Sequence, residues 1–216
     1  MKFRLILYSL AAVTLLANSV QAEVHIGAML GSLNSNLSGQ PPFDVKIESR
    51  NTFGAGAIID IGLTSDVRLS LQPYYSPRGA SLTVSIPDSD ERKDTSAIEV
   101  DYLALPVMAR IIADNGIAYV VAGFEFAFLL SAEWKVVNEP PVDVKDEFQQ
   151  VDLAANLGVG VLPRLGRLRG MIELRYSQSL RNAFRPESSD AFVPRLKYSG
   201  FQLWLGVLLP LGGGEG

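Results

Sequence analysis

The sequence contains no cysteine. That excludes disulfides, thiol nucleophiles, Cys-ligated metal centres and a lipid-modified N-terminal cysteine. It has one histidine, His25, so any imidazole base would have to be that residue. Charge is scarce too: 19 % of residues are charged and the net charge is -4, which leaves no basic surface to recommend a nucleic-acid partner. No phosphate-cradling glycine loop, no nucleophile elbow and no solenoid-period repeat occurs. After the N-terminal segment, only Ile117 to Ala132 is a long apolar run. It is shorter than the roughly 20 residues of a spanning helix and carries Glu125 near its middle. It also follows Asp114-Asn115-Gly116, a hairpin signal, so it reads as a strand.

What the chain does have is apolar content, 48 % in 216 residues, enough for one domain that is unusually greasy for a soluble protein. Lys2 and Arg4 form a positive n-region, Leu5 to Leu16 an apolar h-region, and Val20-Gln21-Ala22 a peptidase-type site. Residues 1–22 are therefore expected to be a signal peptide, with the mature chain starting at Glu23. Residues 23–211 are expected to form one barrel domain, and 212–216, Gly-Gly-Gly-Glu-Gly, a flexible tail.

The mature chain alternates apolar and polar residues with period two, between polar breaks that contain Pro and Gly. Eight segments show it: Val24–Leu33, Thr52–Gly62, Asp66–Ser76, Ile98–Ile112, Ile117–Trp134, Gln150–Leu162, Arg167–Leu180 and Lys197–Leu209. The connections alternate in length. Short turns fall near Thr64-Ser65, Ala113–Gly116 and Pro163–Gly166. Long loops span Asn34–Asn51, Pro77–Ala97, Lys135–Gln149 and Arg181–Leu196. Short turns at one end and long loops at the other are the outer-membrane barrel pattern.

Successive strand side chains point to opposite faces, so each segment has two surfaces. In the fifth, Phe124, Phe126, Phe128 and Leu130 share one face, and Tyr119, Gly123 and Glu125 the other. A Lys or Arg on a lipid face at mid-membrane costs about 2–4 kcal/mol, which accounts for an unbroken apolar face turned outward. The expected fold is all-β: an eight-stranded antiparallel up-and-down transmembrane β-barrel. Its lumen would be about filled by side chains, with glycines making room for them. Asp60 and Arg68 should both face inward and would sit opposite one another across an odd-length turn such as Leu63-Thr64-Ser65. Arg110 and Tyr119 need an even-length turn.

Several of these stretches resemble a family. Gly54 to Leu63, Leu69 to Gly79, Asp101 to Val107, Ala122-Gly123 with Leu129 to Ala132, and Glu173 to Ser177 are similar to the PorT-like outer-membrane β-barrel domain. The resemblance implies an exported eight-stranded barrel of a kind abundant in Bacteroidota, whose namesake is associated with protein secretion. The C-terminal Leu209-Pro210-Leu211 and the glycines after it depart from the terminal aromatic of many such barrels.

Chemistry is sparse. Barrel enzymes usually need a histidine base near the outer rim, whereas His25 starts the first strand near the turn end. The chain therefore reads as non-enzymatic, with no cofactor and no metal. Asp60, Arg68, Arg110, Glu125, Asp152, Glu173 and Arg175 form the expected lumen charge network, read as a salt-bridged plug in preference to an ion path. Asp88 to Asp94 and Asp143 to Glu147 are acidic loop runs without EF-hand spacing, read as solvated loop. Phe53, Tyr75, Trp134 and Phe201 are expected to project outward as an interfacial girdle. The expected partners are outer-membrane lipid and an envelope or extracellular protein met by the long loops. A transport or secretion subunit is the alternative.

Overall fold

The computed structural model describes residues 23–39, 45–84, 93–136, 140–184 and 196–211. The expected signal peptide, the tail and residues 88–92 of the first acidic run lie outside them. Each alternating segment is a strand. They are β1 (Val24–Gly39), β2 (Val45–Gly62), β3 (Val67–Leu71 and Tyr74–Val84, parted at Gln72-Pro73), β4 (Lys93–Ile112), β5 (Ala118–Val136), β6 (Val151–Val161), β7 (Leu168–Ser179) and β8 (Leu196–Leu211). Each pairs antiparallel with its neighbours, and β8 returns to pair with β1, Val24 opposite Leu211. The ring is closed, so no ladder edge faces lipid. Pro73 has no N–H to give, but its carbonyl accepts from Ala57 N at 2.9 Å and keeps β3 joined to β2.

The strands run further toward the loop end than the alternation indicates. β1 continues to Gly39, β2 begins at Val45, β3 ends at Val84 and β4 begins at Lys93. The loops expected at 34–51 and 77–97 are thus mostly paired strand. Ladder pairing continues through them with Ser35, Leu37, Arg78 and Ala80 on the buried side, but these are mostly small or polar residues, so hydropathy marks no period there. β2, β4 and β5 have 18, 20 and 19 residues, whereas β6 and β7 have 11 and 12. A tilted strand crosses a bilayer in about 9–11 residues. The surplus raises the rim on one side.

The turns set the register. Thr64 Oγ1 accepts from Val67 N at 3.0 Å, and Asn115 Oδ1 accepts from Ile117 N at 2.9 Å. The third hairpin is tighter than expected: Leu165 pairs with Leu168 around Gly166-Arg167, with Gly166 at φ 66°. In the first hairpin Asp60 lies opposite Ser70, and Gly62 opposite Arg68. The expected Asp60–Arg68 pairing is therefore wrong by two residues. A two-residue shift preserves parity, and both side chains are buried inside. Across the second hairpin Arg110 faces Val121 and Ile112 faces Tyr119, which turns Arg110 and Tyr119 inward together.

Candidate functional site

The lumen holds more than the polar faces of the strands. Met29, Ile58, Met108, Val121, Met171, Trp204 and Leu208 are buried there among the charges. Glycines make the space, and they make it for rings. A Cβ on Gly31 would stand 2.5 Å from the Trp204 ring, and one on Gly160 would stand 2.3 Å from Tyr119. Trp204 packs edge-on against Tyr74, centroids 4.6 Å apart, and donates to Gln202 Oε1 at 2.9 Å.

Three ionic clusters fill the barrel from the turn end upward. In the first, Arg68 donates to Glu23 Oε2 at 2.6 Å and to His25 Nδ1 at 2.6 Å. That contact makes Nδ1 an acceptor, so the proton sits on Nε2, 3.4 Å from Glu23. Burial pushes the Glu23 carboxyl up, but the Arg68 hydrogen bond and charge outweigh it and hold the group below its ordinary range. In the second, Arg110 donates to Asp60 and, at 3.2 Å, to Glu173 Oε2, with its guanidinium 4.5 Å from the Tyr119 ring centre. Tyr119 donates to the same carboxylate at 2.8 Å, and Arg175 bridges Glu173 and Gln72. In the third, Arg78 donates to Glu125 at 2.5 Å and to Asp152 at 2.7 Å, between the rings of Tyr102 and Tyr198. Tyr74 and Asn156 also donate to Glu125, and Ser179 to Asp152.

All seven residues expected in the lumen network are buried. Two pairings differ from expectation: Asp60 is held by Arg110, and Arg68 by Glu23 and His25. Arg78 falls outside the expected network, because the third segment ends at Ser76 and the long loop starts at Pro77. Its parity with the inward Tyr74 and Ser76 was the available signal. With Arg78 included, three buried arginines (78, 110 and 175) serve the four buried carboxylates (60, 125, 152 and 173) among the described residues, and the fourth, Arg68, serves Glu23. Beside Arg78 a cavity of about 20 Å³ remains, lined in part by Ser35, Ser76 and Tyr198. That holds about one water.

Toward the loop end, residues of the third and fourth loops pack against each other. Val144, Phe148, Ala183 and Leu196 are buried, and the Phe148 and Phe184 rings lie 4.7 Å apart. Val144 N donates to Ala132 O (3.0 Å) and docks the third loop on β5, and Gln149 N donates to Ala183 O (3.0 Å) and ties the third loop to the fourth. In the Asp143 to Glu147 run, Asp143 Oδ1 accepts from Lys145 N at 2.9 Å in a local turn. On the outer wall of the raised side, Glu99 bridges Arg50 at 3.0 Å and Lys135 at 2.7 Å.

Phe53, Tyr75 and Phe201 point outward, Phe53 being 80 % exposed. Trp134 does not share that face. The β4–β5 register jumps from Asp101–Ser131 to Tyr102–Leu129, leaving Leu130 as an extra residue. The bulge reverses the alternation, so Trp134 shares the inner side of the rim with buried Ala132. No bulge is visible in an uninterrupted apolar run.

A closed ring with a lipid-compatible exterior and a salt-bridged interior agrees with the family match. Residues 16–185 match the outer membrane protein beta-barrel domain. The chain belongs to that family. It is a bacterial outer-membrane β-barrel protein. The barrel is similar to the solid-state NMR structure of outer membrane protein AlkL in lipid bilayers, with 15 % identity, TM-score 0.53, and 91 % of this chain and 93 % of that one covered. It also matches Ail, the attachment invasion locus protein of Yersinia pestis (10 % identity, TM-score 0.45, 88 % and 99 % covered). OprG of Pseudomonas aeruginosa matches at 11 % identity and TM-score 0.48, with 89 % and 97 % covered. No curated protein matches.

Proposed function

We propose that the protein is a closed barrel that anchors a raised rim at the cell surface, where the rim binds a partner. The filled lumen carries this reading. Three ionic clusters and a tryptophan occupy the space a solute would need, and opposite charges neutralise one another inside. The seven expected network residues then act as a structural plug. The barrel is non-catalytic on this reading, since both nitrogens of its one histidine are turned to Arg68 and Glu23. Phe53, Tyr75 and Phe201 act as interfacial anchors, and the short turns face the periplasm.

Refolded protein in a planar bilayer tests the plug. The expected record shows no stable conductance step; a steady ohmic channel overturns the reading. The second reading, a subunit of a secretion complex, rests on the resemblance of Gly54 to Leu63, Leu69 to Gly79 and Asp101 to Val107 to the PorT-like domain. In-cell photocrosslinking from the periplasmic turns distinguishes the two, because only the second expects a discrete partner there. Cleavage after Ala22 is part of both, and the mass of the envelope form checks it.

A further inference from the structure

Cleavage after Ala22 would leave Glu23-Val24-His25 as the first three residues of the exported chain. A histidine third from a free α-amine is a chelating arrangement made largely of backbone. The amine, the amide nitrogens of the second and third residues and the imidazole Nδ1 are linked by successive chelate rings. Together they close a plane of four nitrogens around one ion. That plane suits Cu2+ and, more weakly, Ni2+, whereas Zn2+ favours a tetrahedron. Spacing is the requirement, because a residue added ahead of the histidine breaks the sequence of rings. The one histidine of the chain stands at the position the chelate needs. Among the described residues no three metal-ligating side chains meet, so a metal would have to draw on backbone nitrogen.

In the finished barrel the same donors are occupied. Val24 stands opposite Ile61 of β2 and Leu211 of β8, and His25 opposite Asp60 and Pro210. A strand paired on both sides turns successive N–H groups into its two ladders, so neither amide can give up its proton to a metal without leaving the sheet. His25 is buried, and its Nδ1 accepts from Arg68 at 2.6 Å. Arg68 also holds the Glu23 carboxylate at 2.6 Å, and Gly62 N donates to the Glu23 carbonyl at 3.0 Å. These contacts keep the first three residues extended, whereas a four-nitrogen plane needs them wrapped around the ion. Chelate and strand pairing use the same atoms and exclude one another.

We propose that the mature N-terminus is a Cu2+ site of the unassembled chain, and that pairing of β1 with β2 and β8 shuts it. Binding forms four metal–nitrogen bonds and releases to water the two amide protons and the proton of the α-ammonium, and the ion is neither oxidised nor reduced. An ion held by the unassembled chain and refused by the barrel draws the equilibrium away from the barrel, so bound Cu2+ opposes closure until it is expelled. The inference rests on cleavage after Ala22 and is independent of whether the rim binds a partner.

The test is a Cu2+ titration of the full mature chain, its start at Glu23 verified by mass, first in urea and then refolded into phosphatidylcholine vesicles. In urea the chain should bind one equivalent, with the visible absorption of a planar Cu2+–nitrogen complex. Ni2+ should give its own planar complex and Zn2+ none. In vesicles the Cu2+ band should be lost. A chain that keeps Ala22 ahead of Glu23 has every barrel residue and the same histidine, but places it fourth, and should not give that band in urea. One equivalent of Cu2+ should slow refolding of the chain that starts at Glu23, and EDTA should restore it. The chain that keeps Ala22 should refold alike with and without the ion. Absence of the band in urea overturns the proposal. So does an equal band from the chain that keeps Ala22, which would reduce the site to the imidazole alone. An undiminished band in vesicles, or refolding insensitive to Cu2+, overturns the exclusion by strand pairing. The mass of the envelope form separates the two readings: a start elsewhere overturns both the cleavage site and the metal site, whereas a start at Glu23 without the band overturns the metal site alone.

Discussion

Arg110 is the side chain on which the middle of the lumen depends. It is fully buried and serves two carboxylates on opposite walls, Asp60 on β2 and Glu173 on β7. Arg110→Ala leaves Asp60 without its cation and Glu173 with Arg175 alone, and should cost about 3–5 kcal/mol. Arg68→Ala should cost less, because its partner Glu23 is half-exposed and water can replace the guanidinium. Urea unfolding of both variants refolded into vesicles checks the order. Glu23 gives a pH signature. Its carboxyl is held low in the fold, so its contribution is complete above the ordinary carboxylate pKa of about 4.3 and is lost as pH falls through the lowered value. Glu23→Gln should flatten that acid limb by lowering stability at neutral pH, and should change little below the lowered value. At the opposite wall, Gly31→Val should push Trp204 from its place and alter its fluorescence, because the new Cβ would meet the indole.

Within β5 the two faces have different solvents. Phe126 lies toward lipid and Glu125 toward Arg78, Tyr74 and Asn156. Phe126→Arg should destabilise the refolded barrel by about 2–4 kcal/mol if the site lies near mid-membrane. Glu125→Gln keeps an acceptor but removes one of the two charges facing Arg78, so it should be damaging in its own right. Deleting Leu130 should remove the bulge and leave Ser131 to Trp134 opposite Asp101 to Ile98, so Trp134 stays on the inner rim. Quenching of its fluorescence by brominated lipid should then be unchanged; a rise contradicts the bulge account. Strand existence, face and parity were legible because a buried face and a lipid face each impose period two. The overhangs of β1 to β4 were not, because strand outside the bilayer needs no apolar side. The bulge was hidden because Phe128, Leu129 and Leu130 look alike in a composition pattern. Arg78 was hidden because the alternation of its segment stops at Ser76, and the Asp60–Arg110 pairing because parity constrains which face a residue takes and not which neighbour it meets.

At the scale of the molecule the two ends are unlike. One has three tight turns; the other has overhanging strands on one side and the packed third and fourth loops on the other. Asp146→Cys should react with an impermeant thiol reagent on intact cells, and Ser65→Cys should not. The native chain has no cysteine to confuse the result. The reverse pattern would invert the orientation. The lumen contacts also join residues far apart in the chain: Arg175 to Gln72 is a separation of 103 residues, Gln202 to Tyr74 of 128, and Arg110 to Glu173 of 63. None of these pairs exists until strands from both halves of the chain stand in the ring. A half-inserted sheet would hold unmatched arginines and carboxylates beside hydrocarbon, at several kcal/mol each. Assembly is therefore confined to routes that keep the sheet's inner face wet until the last strand zips to the first. Closure itself expels that water, so the final step of folding and the sealing of the barrel are one event.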